Sequence, residues 1–270
     1  MLRVVCAIGW ADFVLKYRGS VLGYLWSFIA PLMKFLVILF VFQPLVGPAI
    51  PQYPLYLFLG LIVWEHFAST TYGCITMLID KAPIIQKVVF PRVLLIFAVG
   101  WTNAIIFLTH VLIFLLFGFL LGVPPSSSLL YFLILLPQMT LLALGVGMAL
   151  SAYFLKYQDI RHLWEIALQV LFWLTPVAYQ YVVQGTVIHE LANLFRESLS
   201  LSLWGFFQIF VRFQPLSILI HDARRTFLYA QTEGIPSPHH VLGTSAVCAL
   251  IFLLGFLIFR KRSPYFVEEY

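Results

Sequence analysis

The sequence predicts an all-α integral membrane protein with six transmembrane helices, an N-terminal interfacial amphipathic helix, and re-entrant outer half-helices between the fifth and sixth spans. Three observations carry this reading. Hydrophobic residues make up 62% of the 270 and charged residues only 10%, whereas about a quarter of a soluble domain is charged. Too few polar side chains exist to clothe a water-soluble core, so lipid must solvate most of the surface. Long apolar runs alternate with short links, and Lys and Arg gather in alternate links only. Residues 1–270 read as one transmembrane domain.

Residues 1–20 intersperse Leu2, Val5, Ile8, Trp10, Phe13 and Tyr17 with Arg3, Asp12, Lys16 and Arg18. Asp12 and Lys16 stand four apart, the favourable order for a helical ion pair. This stretch is expected to lie along the cytoplasmic surface as an interfacial helix, not to cross. Gly19 and Gly23 allow the backbone to bend before the first span, about Leu25 to Phe42, which Lys34 interrupts. An uncharged turn, Gln43 to Pro51, leads to the second span, about Pro54 to Leu78. Residues 80–92 form a charged connector, and the third span follows from about Val93 to Leu121. Gly122 to Ser128 is a second uncharged turn, and the fourth span covers about Leu129 to Leu155. After Lys156 to Arg161, the fifth span runs from about His162 to Val183, and the last from about Val241 to Phe259.

Basic residues occupy the lead-in, the second-to-third link, the fourth-to-fifth link and the C-terminal tail, and are absent from the other two short links. The positive-inside rule therefore puts both termini in the cytoplasm, as six spans require. Residues 184–238 fall outside, and long loops are less bound by that rule. The apolar stretch Leu201 to Val211 is short of the roughly 20 residues needed to cross, so it is expected to enter the outer leaflet and return, with Gln214-Pro215 as the break between half-helices.

Several classes are excluded. The basic residues sit in short clusters between apolar runs, a poor pattern for nucleic acid. Cys6, Cys74 and Cys248 are far apart with no metal spacing, and read as buried hydrophobes. A cleaved signal peptide is not expected, because the apolar stretch Val4 to Trp10 is short and runs into Asp12 and Lys16. No Gly-rich loop ending in Lys-Ser/Thr is present, so the chain is not expected to hydrolyse ATP. No catalytic or metal-ligating set and no cofactor of its own is predicted.

Five pieces of sequence carry a resemblance. Lys16-Tyr17-Arg18-Gly19-Ser20-Val21-Leu22-Gly23-Tyr24-Leu25-Trp26, with Pro31 beyond it, is similar to the basic-Tyr-basic, Ser-x-Leu-Gly-x-Leu-Trp and Pro entry of the type-2 ABC exporter permeases that move polysaccharides and teichoic acids. Phe58 to Trp64 looks like that family's second helix. Ile85 to Arg92 resembles its Lys-x-x-Phe-Pro-Arg turn, Tyr157 to Arg161 its Arg-Asp-Ile stretch, and Phe172 to Tyr179 its Trp-x-x-Pro-x-x-Tyr element. Order and spacing together make the match specific over nearly the whole chain. Gln158 replaces the usual Arg, and Gln214-Pro215 stands where Asn-Pro is usual.

The resemblance implies a channel-forming subunit of an ATP-driven exporter in the bacterial inner (cytoplasmic) membrane. It would pair with a second copy and with two ATP-binding-cassette subunits that bind ATP and Mg, and pass lipid-linked polysaccharide, O-antigen foremost. It further implies that Asp80, Lys81, Ile84, Ile85, Lys87, Phe90 and Arg92 form a coupling element for the ATPase; the alternative is a solvated loop whose basic residues only set topology. Lys16, Arg18 and Lys34 are candidates to attract the lipid diphosphate at a lateral gate, although Lys34 is near enough to the inner surface to snorkel instead. Glu65 and His66 form either a polar lining or a packed pair, and Asp159 and Arg161 either bond to each other or cap the fifth helix. Trp173, Tyr179, Tyr181, Trp204, Phe206 and Phe207 are candidates for a sugar path, because aromatic faces pack against sugar C–H faces; an interfacial aromatic belt is the alternative. Rival readings are a teichoic acid or capsule exporter, an ABC permease for drugs or small lipids, a membrane-embedded enzyme of lipid-linked sugars using Glu190, Glu197, His221 and Asp222, and an ion-coupled carrier.

Overall fold

Eight helices of 13 residues or more make up the described fold, five of them packed against a central sixth. The structure, a computed structural model, describes residues 2–81, 91–123, 130–154, 156–180 and 209–262. Among these, every regular element is helical: α1 (Leu2–Tyr17), α2 (Trp26–Phe42), α3 (Tyr53–Asp80), α4 (Val93–Leu120), α5 (Phe132–Phe154), α6 (Asp159–Leu174), α7 (Pro215–Phe227), a single turn Ala230–Glu233, and α8 (Pro238–Arg262). Four are long and apolar enough to cross a bilayer: Gly23–Phe42, which is α2 with its lead-in turn, α4, α5 and α8. The predicted spans agree with the helices to within a few residues at most ends.

The fifth span differs. Expected to continue to Val183, α6 stops at Leu174, and Thr175 is extended (φ −87°, ψ 136°). Pro176 is the cause, because its ring clashes with a helical residue before it. Asp159 sits in the first turn of α6, where the helix dipole favours an acid. Arg161 lies 3.8 Å from Glu165, one turn on. The break expected at Gln214-Pro215 is present: Gln214 is extended and Pro215 starts α7. Half-helices before residue 209 lie outside the described residues.

Turns follow from their glycines. Gly19 and Gly23 adopt φ +84° and +50° between α1 and α2, conformations that side-chain-bearing residues rarely take. Gly122 (φ +78°) closes α4, with the Val123 amide reaching back to the Gly118 carbonyl at 2.9 Å, a Schellman stop.

The core lies along α3, which packs against α2, α4, α5, α6 and α7. Leu57, Ile62 and Val63 of α3 are fully buried, as are Leu135 and Ala143 of α5. The most extensive pairing is α5 with α8. There Gly145 and Gly255 bring the two backbones together: a methyl at Gly255 would lie 2.0 Å from the Gly145 carbonyl oxygen. Small residues allow such approach in membrane bundles.

Candidate functional site

Three places gather the polar groups: the α1 end of the bundle, a lateral face along α2, α3 and α6, and the opposite end where α3 begins.

At the first, α1 runs along the start of α4. The Thr102 hydroxyl donates to the Gly9 carbonyl at 2.9 Å. Gly9 has no Cβ, and one built there would meet Trp101 and the Ala98 carbonyl. Lys81, just past α3, is ion-paired with Asp12 of α1. α1 is thus fastened to the first residue after α3. Asp12 has a long-range partner that its helical spacing to Lys16 does not suggest. Val4, Trp10, Val14 and Leu15 point outward. Of the predicted coupling residues, Asp80 ends α3 exposed, Lys81 is engaged by α1, and Arg92 precedes α4. Ile84, Ile85, Lys87 and Phe90 lie outside the described residues.

Of the predicted lateral-gate residues, Lys16 lies in the last turn of α1, Lys34 on α2, and Arg18 stands exposed in the turn after α1. Glu65 is half-buried on α3. His66 is buried with its ring 4.8 Å from that of Phe107 and its Nε2 3.3 Å from the Thr140 hydroxyl. Lys34 Nζ lies 4.3 Å from the Phe172 ring centroid, near the far end of α6. The next residue, Phe35, packs on Phe58 near the start of α3 and on Phe117 near the end of α4. These contacts put Lys34 toward the end of the bundle opposite the charged connector. α2 begins beside the second half of α4: Tyr24 bonds Thr109, and His110 bonds the Ser27 carbonyl at 2.9 Å.

At the third place, the first two turns of α3, the corner 175–180 and α7 converge. The Tyr53 hydroxyl donates to the Ala178 carbonyl at 2.8 Å and the Tyr56 hydroxyl to the Tyr179 carbonyl at 2.9 Å. Arg224 of α7 is 4% exposed. Its guanidinium donates to the carbonyls of Tyr56 (3.2 Å), Pro176 (2.7 Å) and Val177 (2.6 Å), and stacks 3.4 Å from the Tyr56 ring centroid. Gly60 makes room for it, since a Cβ there would sit 2.3 Å from Nη2. On the other side of α7, the buried Asp222 carboxylate meets His240 Nε2 of α8 at 3.1 Å. Between α7 and α8 opens a cleft of about 620 Å³, lined by Gln180, Phe213, His221, Tyr229, His239 and Thr244 among others. Burial pushes the Tyr229 phenol up to about 12, so it stays a donor, here to the Pro51 carbonyl at 2.8 Å.

Trp173 and Tyr179, predicted for a sugar path, meet at the end of α6: the Tyr179 hydroxyl donates to the Trp173 and Leu174 carbonyls. Trp173 is 54% exposed and lies 6.1 Å from the ring of Phe42. Tyr181, Trp204, Phe206 and Phe207 lie outside the described residues, as do Glu190 and Glu197. Arg224 was not among the residues predicted for a site. Its signal was register: Leu216, Ile220, Ala223 and Phe227 trace an apolar seam at helical spacing, and Arg224 falls four residues after Ile220 on that seam.

With its long apolar helices, the chain belongs to the ABC-2 type transporter family, whose model matches residues 3–192. Curated relatives include the O-antigen export system permease protein RfbA of Klebsiella pneumoniae, 26% identical over 95% of this chain and 91% of that protein. A protein of the same name from Myxococcus xanthus is 27% identical over 94% of this chain and 90% of its own length. A second Klebsiella pneumoniae RfbA is 30% identical over 62% of this chain and 65% of that protein.

Proposed function

We propose that this chain is the channel-forming subunit of an ATP-driven exporter that passes lipid-linked polysaccharide, O-antigen foremost, across the bacterial inner membrane. The observation that carries the reading is the near end-to-end correspondence with two relatives named as O-antigen export permeases. Their names favour O-antigen over teichoic acid or capsule. Six spans, with both termini cytoplasmic, are α2, α3, α4, α5, α6 and α8. Two copies of the chain pair with two ATPase subunits, which bind the ATP and Mg.

In this reading the 80–92 connector docks on the ATPase. The Asp12–Lys81 pair hands its movement to α1, and α1 hands it to α4 through Gly9 and Thr102. Arg18 and Lys16 draw the diphosphate of the cargo toward the lateral face, where Glu65 and Lys34 hold compensating charge. Trp173 and Tyr179 give the sugar chain an aromatic surface near the far end. The test is ATP-dependent polymer export by the reconstituted complex, with and without an inactivated ATPase subunit. Export is expected to stop with the inactive ATPase; undiminished export overturns the reading.

A further inference from the structure

The far corner contains a buried cation devoted to main-chain carbonyls. A guanidinium taken out of water is expensive unless its donors find partners. Arg224 meets that need with three carbonyls from two separate segments, the start of α3 and the corner after α6. Alanine at position 60 would not fit beside it. The same helix is tied to the same corner at its other end. Gln214 Nε2 donates to the Thr175 hydroxyl at 3.0 Å, and the Ser217 hydroxyl donates to Gln214 Oε1 at 3.1 Å. The two attachments are ten residues apart, about 15 Å along the chain direction of a helix. Two points fix both the position and the angle of α7 against the corner.

Toward α8, α7 presents Asp222, whose two carboxylate oxygens each lie 3.1 Å from His240 Nε2. Positions 222 and 224 lie on opposite sides of a helix, because two residues turn it by about 200°. The cleft between α7 and α8 is lined by both residues and by Tyr56 and Pro176, so the clasped corner forms one wall of it and α8 another.

We propose that Arg224 is the positioning residue of the outer exit: it makes α7, the corner 175–180 and the start of α3 one body, which moves against α8 along the cleft. The inference rests on the exporter reading for the meaning of that movement, but the rigid body itself stands on the contacts alone. The corner carries Tyr179 and Gln180, so its orientation sets what the emerging polymer meets. Lysine at 224 keeps a charge but loses the fork that reaches three carbonyls at once.

The experiment uses the full complex with its ATPase and compares wild type, Arg224→Gln, Arg224→Lys and Gly60→Ala. Backbone hydrogen exchange is followed together with polymer export and ATP hydrolysis. In Arg224→Gln the amides of 175–180 and 215–227 are expected to exchange roughly tenfold faster, and to rise together, because buried carbonyls lose their donors. Amides of α4 and α5 should not change, and export should fall about tenfold per ATP hydrolysed. Gly60→Ala should reproduce the effect in the Arg224 background and add little in Arg224→Lys, since the clash is with Nη2. If Arg224→Gln does not assemble, Gly60→Ala alone supplies the readout. The inference is overturned if neither segment changes, if only one of them does, or if assembled variants export at the wild-type ratio to ATP. Should wild type export no polymer, the functional reading fails, and the paired exchange rates still decide whether the body exists.

Discussion

Gly255→Ala tests the packing on which the last span depends. The added methyl would lie 2.0 Å from the Gly145 carbonyl oxygen, 2.8 Å from its carbon and 3.0 Å from its Cα. All three are backbone atoms, so no side chain can rotate away. Ordinary contact begins near 3.4 Å, so the helices must part locally by about 1.4 Å. Parting also loosens Leu144, Met148 and Phe252, which pack in the same buried cluster. Overpacking of this kind costs about 1–3 kcal/mol, and with no flexible atom to yield the upper part of that range is expected. For a chain of this size that corresponds to a fall in melting temperature of roughly 5–10 °C. The control lies in the same helix: a methyl at Gly243 meets nothing within 4 Å, so Gly243→Ala should be neutral or slightly stabilising, by up to about 1 kcal/mol. Thermal unfolding of the purified chain in detergent gives both numbers. Gly145→Ala should also destabilise, since its methyl would meet the Ile251 oxygen and Phe252 Cα at 2.7 Å, and the double variant should cost less than the sum, because helices already parted admit the second methyl. Equal melting of the Gly255 and Gly243 variants would refute the close crossing.

Three further outcomes are expected. Reversing either member of the Asp12–Lys81 pair, whose side chains are about one-fifth exposed, should destabilise by about 1 kcal/mol, and the exchange Asp12→Lys with Lys81→Asp should recover most of it; no recovery in the double variant would show that the two do not act as a pair. Tyr229→Phe removes the donor to Pro51 and should cost about 1 kcal/mol at neutral pH. The folded phenol titrates near 12 and the unfolded one near 10, so this stabilisation is complete below pH 10 and is lost as pH rises through 12; ultraviolet titration of folded protein should show one fewer high-pH phenol in the variant. Trp173→Ala, at a largely exposed position, should leave the melting temperature within about 1 °C yet lower polymer export several-fold; unchanged export would assign the ring to lipid instead.

The helical order was legible because each apolar run is punctuated by Gly, Pro or charge, and α2, α4 and α8 start or stop within a few residues of those marks. The end of α6 was misread by composition, since residues 175–183 remain apolar enough to extend a span, yet Pro176 removes the helical option from Thr175. Gln214-Pro215 was read correctly by the same rule applied to a polar context. The fate of charges was less legible. Asp12 has a good local partner in Lys16, but the structure gives it Lys81, sixty-nine residues on, because α1 lies against the end of α3. Lys34 could be counted along α2 from the sequence, but its contact with Phe172 of α6 could not. Pair partners depend on which helices touch, and periodicity within one helix carries no such information.

The same reasoning explains why α3 is the least lipid-like of the long helices although it is central. At 28 residues it is about 42 Å long, longer than the roughly 30 Å hydrocarbon core, but it carries Glu65, His66, Ser69, Thr70, Thr71 and Tyr72 in one stretch. Its neighbours take up much of that polarity. Trp164 Nε1 donates to the Thr71 hydroxyl at 3.1 Å, the Tyr72 hydroxyl donates to Glu165 at 2.8 Å, and His66 meets Thr140. A helix surrounded by protein can hold polar groups where a lipid-facing one cannot. α2 and α8 expose Val37, Phe40, Leu250 and Leu253, and their stretches 35–42 and 246–259 carry no charged residue. The helix that falls short of spanning hydropathy is the one joined to α1 at one end through Lys81 and to α7 at the other through Tyr56. Its polarity belongs to its packing: the bonds are directional and their partners lie on different helices.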